Sequence, residues 1–100
     1  MIVELEGKLT ELEGGSAVVK VGEVGYEVFL PGYAISELSS MLGKDVRFFT
    51  IEYFEGSPGG GNIVPRMIGF LDRRERKFFN KYKSVKGMGV KKALKSLSMP

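Results

Sequence analysis

The sequence predicts a mainly β chain, a small five-stranded closed barrel followed by a helical segment. Three observations carry this. Apolar and charged residues mostly alternate through residues 1–30, with glycine turns and Pro31-Gly32 breaking the runs, and Asp45 to Phe54 is rich in β-branched and aromatic residues. One short stretch at helical spacing interrupts them after the third run. From Asp72 the pattern changes to basic and helical.

Residues 1–30 read as three strands. Ile2, Val3, Leu5, Leu9 and Leu12 are interleaved with Glu and Lys. Gly14-Gly15 makes a turn, Ala17 to Val21 is β-rich, Gly22 to Gly25 makes a second turn, and Tyr26 to Leu30 forms a third strand ended by Pro31-Gly32. Tyr33 to Leu42 reads as a short helix with Ile35, Leu38, Met41 and Leu42 at helical spacing, stopped by Gly43. Asp45 to Phe54 is a fourth strand, and residues 55–65, with four of the 14 glycines, form a loop. Arg66 to Phe70 is a last short strand. Five strands with a helix after the third suit the OB-fold, the commonest small barrel of this kind. Asp72 is placed to cap the next helix, whose apolar stripe is Phe78, Phe79 and Tyr82. Val85 to Val90 reads as a tight glycine hairpin, and Lys91 to Ser98 as a second helix with Ala93, Leu94 and Leu97 inward. The expected division is a barrel domain at 1–70 and a partial helix-hairpin-helix domain at 71–100.

The net charge of +3 conceals a split. Residues 1–70 hold five basic against ten acidic side chains, a net of −5, whereas residues 71–100 hold ten against two, a net of +8. So uneven a field points to an anionic partner at the C-terminal part, of which nucleic acid is the commonest. A basic face kept for solubility is the alternative. The chain has no cysteine and no histidine, which removes thiolate zinc sites, disulfides and imidazole-based nucleophilic catalysis. No cofactor or metal is implied, and the expectation is a non-catalytic protein. The sequence contains no run of 18 apolar residues and starts with acidic rather than basic residues, so a cytoplasmic protein with no membrane partner is expected.

The hairpin carries the most chemistry. Gly87 and Gly89 lack Cβ, so the backbone can turn sharply and approach a partner closely. Amides around Met88, Gly89 and Val90 open the second helix, and an unpaired helix N-terminus suits a phosphate. Lys86, Lys91 and Lys92 are at hand to neutralise it, and Ala93 lets the two helices pack closely. A helix corner needing glycine only for its C-cap is the competing reading. Contacts of the phosphate type read backbone and shape rather than sequence.

Met1-Ile2 and the early strand, Val24 to Val28 with Leu30-Pro31, the strand ending Phe48-Phe49-Thr50, Ile68-Gly69-Phe70, the Glu75-Arg76 pair and the Val85 to Ala93 hairpin follow one another as in a known family. In these residues the chain resembles RuvA, the Holliday-junction-binding subunit of a bacterial branch-migration machine. The resemblance spans nearly all 100 residues and about the first half of a full family member. It implies an OB-fold domain and a helix-hairpin-helix domain, four subunits around a four-way junction, and roles in DNA recombination and repair. It also implies that Gly87, Met88, Gly89, Val90 and Lys91 bind phosphate.

The departures are specific. The second hairpin unit and the C-terminal domain that binds the RuvB motor have no counterpart in these 100 residues, so the chain by itself is not expected to recruit that motor. The family's acidic pin, two adjacent carboxylates, aligns with Gly56 and Ser57, leaving Glu55 beside them to keep part of the role. A solvent loop is the alternative there. Val90 stands where the family often has proline, which softens the hairpin without removing its site.

Two other signals compete. Phe48, Phe49, Tyr53 and Phe54 could form a stacking platform for single-stranded DNA or RNA, although an alternating strand must send some of them to the core. Glu4, Glu6, Glu11 and Glu13 alternate as a solvated strand face would, with a carboxylate metal or acid–base site as the weaker reading. A barrel serving only as an oligomerisation module is a third reading of the whole chain.

Overall fold

The computed structural model describes residues 1–56 and 63–82. The strands are β1 (Glu4–Glu13), β2 (Ser16–Val21), β3 (Val24–Phe29), β4 (Asp45–Glu55) and β5 (Val64–Phe70); helix α1 (Gly32–Leu38) follows β3 and helix α2 (Arg73–Tyr82) follows β5. The strands close in the order β1-β2-β3-β5-β4, with β4 returning to β1. All pairs are antiparallel except β3 with β5, which meet in parallel at Phe29 and Ile68. This is a mainly β barrel of OB type with the helix after the third strand, as the sequence led one to expect.

Closure depends on β1 serving two neighbours. Glu4 to Lys8 pair with β4, and Lys8 to Glu13 pair with β2. A bulge between Leu9 and Glu11 bends the strand at the changeover. Gly7, opposite the backbone of Lys20, has no room for a Cβ, since one would strike the Lys20 carbonyl. The β1–β2 turn takes Gly14 and Gly15 at φ 60° and 85°, a conformation open to glycine and strained for other residues.

The barrel interior is filled by Leu5, Leu9, Ala17, Val19, Val28, Val46, Phe48 and Met67, and Ala34 and Leu38 of α1 belong to the same cluster. Helix α1 ends at Leu38, four residues short of the sequence expectation. Met41 N–H donates to the Leu38 carbonyl and Gly43 N–H to that of Leu9, so the segment after α1 is a turn tied to β1.

A second cluster lies on the outer face of β4 and β5, where Ile51 and Ile68 are cross-strand partners and Phe70 joins them beneath Phe79 of α2. Strand β4 is thus buried on both faces near its middle, with Phe48 and Thr50 on one face and Ile51 on the other. Strand β5 begins at Val64 rather than Arg66, pairing through Pro65 with Phe54. The expected stripe on α2 is corrected in part: Phe79 is fully buried, with its ring 5.2 Å from that of Phe70, while Phe78 is 56% exposed. No helix among the described residues is long and apolar enough to cross a membrane.

Candidate nucleic-acid interface

The residues that the sequence singles out for phosphate binding, Lys86, Gly87, Met88, Gly89, Val90, Lys91 and Lys92, lie outside the described residues. What the structure does describe is the helix that leads into them. Helix α2 is capped as expected: Asp72 Oδ1 accepts the Arg74 N–H at 2.6 Å. The Arg74 guanidinium bonded to the carboxylate, followed by that backbone bond, holds the Asp72 carboxyl below the usual aspartate range.

One face of α2 meets the barrel. Helical periodicity puts Asp72, Glu75, Arg76 and Phe79 on it. Phe79 fills the outer cluster, and Arg76 Nε donates to the Thr50 carbonyl at 2.7 Å. Glu75 lies near Tyr33 of α1. The Tyr33 hydroxyl is buried with no hydrogen-bond partner in place, and burial followed by the Glu75 carboxylate pushes its pKa up. At the helix start, Arg73 reaches Glu4 at 3.3 Å and covers the Phe49 ring at 5.3 Å. Lys77 and Lys81, four residues apart, project from the face opposite Phe79 and are exposed. Arg76 is therefore engaged with the barrel backbone, while Arg73 and Arg74 pair at the surface and, with Lys77 and Lys81, leave the helix's positive charge largely exposed.

The acidic strand face resolves the same way. Glu4 pairs with Arg73 and Glu6 with Arg47 at 3.0 Å, both at the surface. Among the described residues no group of three acidic side chains is placed to hold a metal ion.

Glu55 stands at the end of β4, next to the loop. Arg66 Nε meets its Oε2 at 3.0 Å, and both side chains are half-buried. The same guanidinium lies 4.0 Å from Glu27 and 5.1 Å above the Phe29 ring. The ion pair lowers the net negative charge that Glu55 would present to a phosphate. Nothing in the local sequence signals it, because the two residues are eleven apart and meet only through the β4–β5 pairing.

The four aromatics of β4 separate. Phe48 is in the barrel core and Phe49 lies under Arg73, whereas Tyr53 is half-buried and Phe54 is 76% exposed. Tyr53 and Phe54 line a groove of about 520 Å³ with Tyr26, Phe29 and Met67. Its charged lining is Glu27, Glu52, Arg66 and the amino group of Met1, a balanced set with no excess of positive charge to draw the phosphates of a single strand.

Comparison with known proteins agrees with this architecture. The family described as the RuvA N terminal domain matches residues 1–55. A relative from Rhodopirellula baltica, named Holliday junction branch migration complex subunit RuvA, is 40% identical over 100 residues, covering all of this chain and 48% of the relative. Proteins of the same name from Leptospira biflexa and Desulfatibacillum aliphaticivorans are 37% and 33% identical, covering 98% and 100% of the chain and 46% and 47% of those relatives. The chain thus spans about half the length of the curated relatives it matches. The matched span takes in β1 to β4, including the bent first strand and the Val24 to Val28 segment, and the chain belongs to the RuvA N-terminal domain family.

Proposed function

We propose that this chain is a non-catalytic DNA-binding subunit that selects DNA by structure rather than sequence, with the four-way junction of recombination and repair as its substrate. The observation that carries this is the sorting of charge on α2. Arg76 is engaged by the barrel backbone, while Arg74, Lys77 and Lys81 are exposed on the side away from Phe79, at the head of a segment of net charge +8. The names of the relatives supply the substrate class, since each is a Holliday junction branch migration complex subunit. Residues 1–70 act as the barrel that supports the binding segment, and residues 71–100 carry the contacts.

In this reading Gly87 and Gly89 let the backbone approach a phosphate, the amides from Met88 to Val90 donate to it, and Lys86, Lys91 and Lys92 neutralise it. Glu55, tempered by Arg66, acts as a weak acidic element near the junction centre, repelling phosphate less than an unpaired carboxylate pair would. Four copies around one junction would set four such hairpins on its arms, and binding would involve several subunits at once.

The test is Gly89→Asp in the full chain. It places a side chain and a negative charge where the phosphate would sit. Junction binding should be lost while the thermal transition of the barrel stays in place. Retained binding would refute the hairpin assignment. Lys91→Glu with Lys92→Glu separates this reading from a purely structural module, whose behaviour the double change would leave untouched.

A further inference from the structure

We propose that Arg76 is a positioning residue: it sits in the basic segment but serves the barrel, fixing the angle at which α2 delivers the phosphate-binding hairpin. This rests on the DNA-binding reading above and adds to it a cation that does not touch DNA.

Arg76 is one helical turn before Phe79, on the face of α2 that meets the barrel. Its Nε donates to the Thr50 carbonyl at 2.7 Å in a partly buried setting. Among the arginines of α2 it alone bonds the barrel backbone. Arg73 and Arg74 make surface ion pairs with side chains that are 74% and 92% exposed, the kind of contact that contributes little. A charge-assisted bond to a backbone carbonyl is stronger and more directional.

The acceptor is unusually well fixed. Thr50 is fully buried and pairs with Gly69 of β5. Its N–H donates to the Val3 carbonyl at 2.9 Å and its hydroxyl to the Ile2 carbonyl at 2.6 Å. Ile2 N–H in turn donates to Glu52 at 2.8 Å. The start of the chain is thereby strapped to β4 at the point where α2 lands. Thr50 cannot follow a helix that tilts away, so its carbonyl acts as a stop against which Arg76 sets the helix. Phe79 alone supplies attraction without direction, because apolar burial tolerates rotation about the buried ring; the guanidinium adds the direction.

Two roles for Arg76 give different salt behaviour. A phosphate contact contributes about 0.9 to the slope of log affinity against log salt concentration. A positioning contact changes only the fraction of molecules with α2 correctly docked, and apparent affinity scales with that fraction at every salt concentration. The experiment measures binding of a synthetic four-way junction across a salt series by wild type, Arg76→Gln and Arg76→Met, the last keeping an apolar stem against the barrel. Far-ultraviolet circular dichroism confirms that each variant is folded at the assay temperature. The expected result is affinity about tenfold weaker in both variants, with the wild-type slope retained. A slope shallower by about 0.9 would make Arg76 a phosphate ligand and overturn the proposal while leaving the DNA-binding reading intact. Unchanged affinity would also overturn it. A wild-type chain that binds no DNA would overturn the DNA-binding reading and this inference together.

Discussion

Replacing Phe79 by alanine should undo the docking of α2, and the size of the effect follows from its burial. The side chain is fully buried between α2 and the outer face of β4 and β5, against Ile51, Ile68 and Phe70. A buried phenylalanine removes about 150–250 Å² from water, which at about 25 cal/mol per Å² amounts to ~4–6 kcal/mol. Partial collapse of the cavity brings the expected loss to about 3–5 kcal/mol. For a domain of this size even the lower figure lowers Tm by at least about 12 °C. Phe78, next to it and 56% exposed, is the control, and its replacement by alanine should cost less than about 1 kcal/mol. Urea unfolding followed by far-ultraviolet circular dichroism measures both. A Phe79→Ala loss below about 1 kcal/mol, or a Phe78→Ala loss as large as that of Phe79→Ala, would refute the assignment of Phe79 as the anchor.

Three further outcomes are expected. Tyr33→Phe removes a buried hydroxyl that has no hydrogen-bond partner, so stability at neutral pH should hold or rise by up to about 1 kcal/mol. Because burial and Glu75 raise the Tyr33 pKa in the folded chain, its contribution is present below the ordinary tyrosine value of about 10 and falls away as pH rises past it. Alkaline unfolding of the phenylalanine variant should therefore set in at higher pH than that of wild type, and parallel curves would contradict this. Gly69→Ala should cost about 1–3 kcal/mol, since its methyl would run into the buried Val28 and Phe48 side chains, while Gly25→Ala, which meets only Val18 at 3.4 Å, should be near neutral by thermal melting. Phe54→Ala should leave junction binding unchanged in a gel-shift titration, because its groove lies on the barrel and carries no excess of positive charge; a marked loss would move the site to the barrel aromatics.

The fold was legible where local pattern and tertiary demand coincide. Alternation in β1 and β2, the glycine turns and the helix after β3 follow from residues a few positions apart. So does the Asp72 cap, whose signal is one residue at a helix start. The misses share one cause, which is contact between distant segments. Strand β4 loses its alternation because α2 covers its outer face, and no window within β4 contains α2. Of two adjacent phenylalanines on α2, only the angle of docking decides which one is buried. Helix α1 stops at Leu38 because the following backbone closes tight turns, Met41 to Leu38 and Lys44 to Met41, and is tied to β1 through Leu9. In the candidate interface, the sequence marked every basic residue of α2 alike. The structure divides them: Arg73 and Arg76 turn to the barrel, Arg74 to the cap, and the lysines outward. Likewise Glu55 reads as an unaccompanied carboxylate until the β4–β5 pairing brings Arg66 to it.

A competition gel-shift distinguishes recognition of DNA structure by the basic segment from a basic patch that binds any DNA. A labelled four-way junction is challenged with unlabelled junction, linear duplex of matched sequence, and single strand, at several salt concentrations. Unlabelled junction should compete best and duplex and single strand weakly, and affinity should fall steeply with salt, with a slope reflecting several phosphate contacts. Equal competition by all three DNAs would leave a basic patch without structural selectivity, preference for single strand would shift recognition to the barrel, and either result would rule out junction selection by the basic segment.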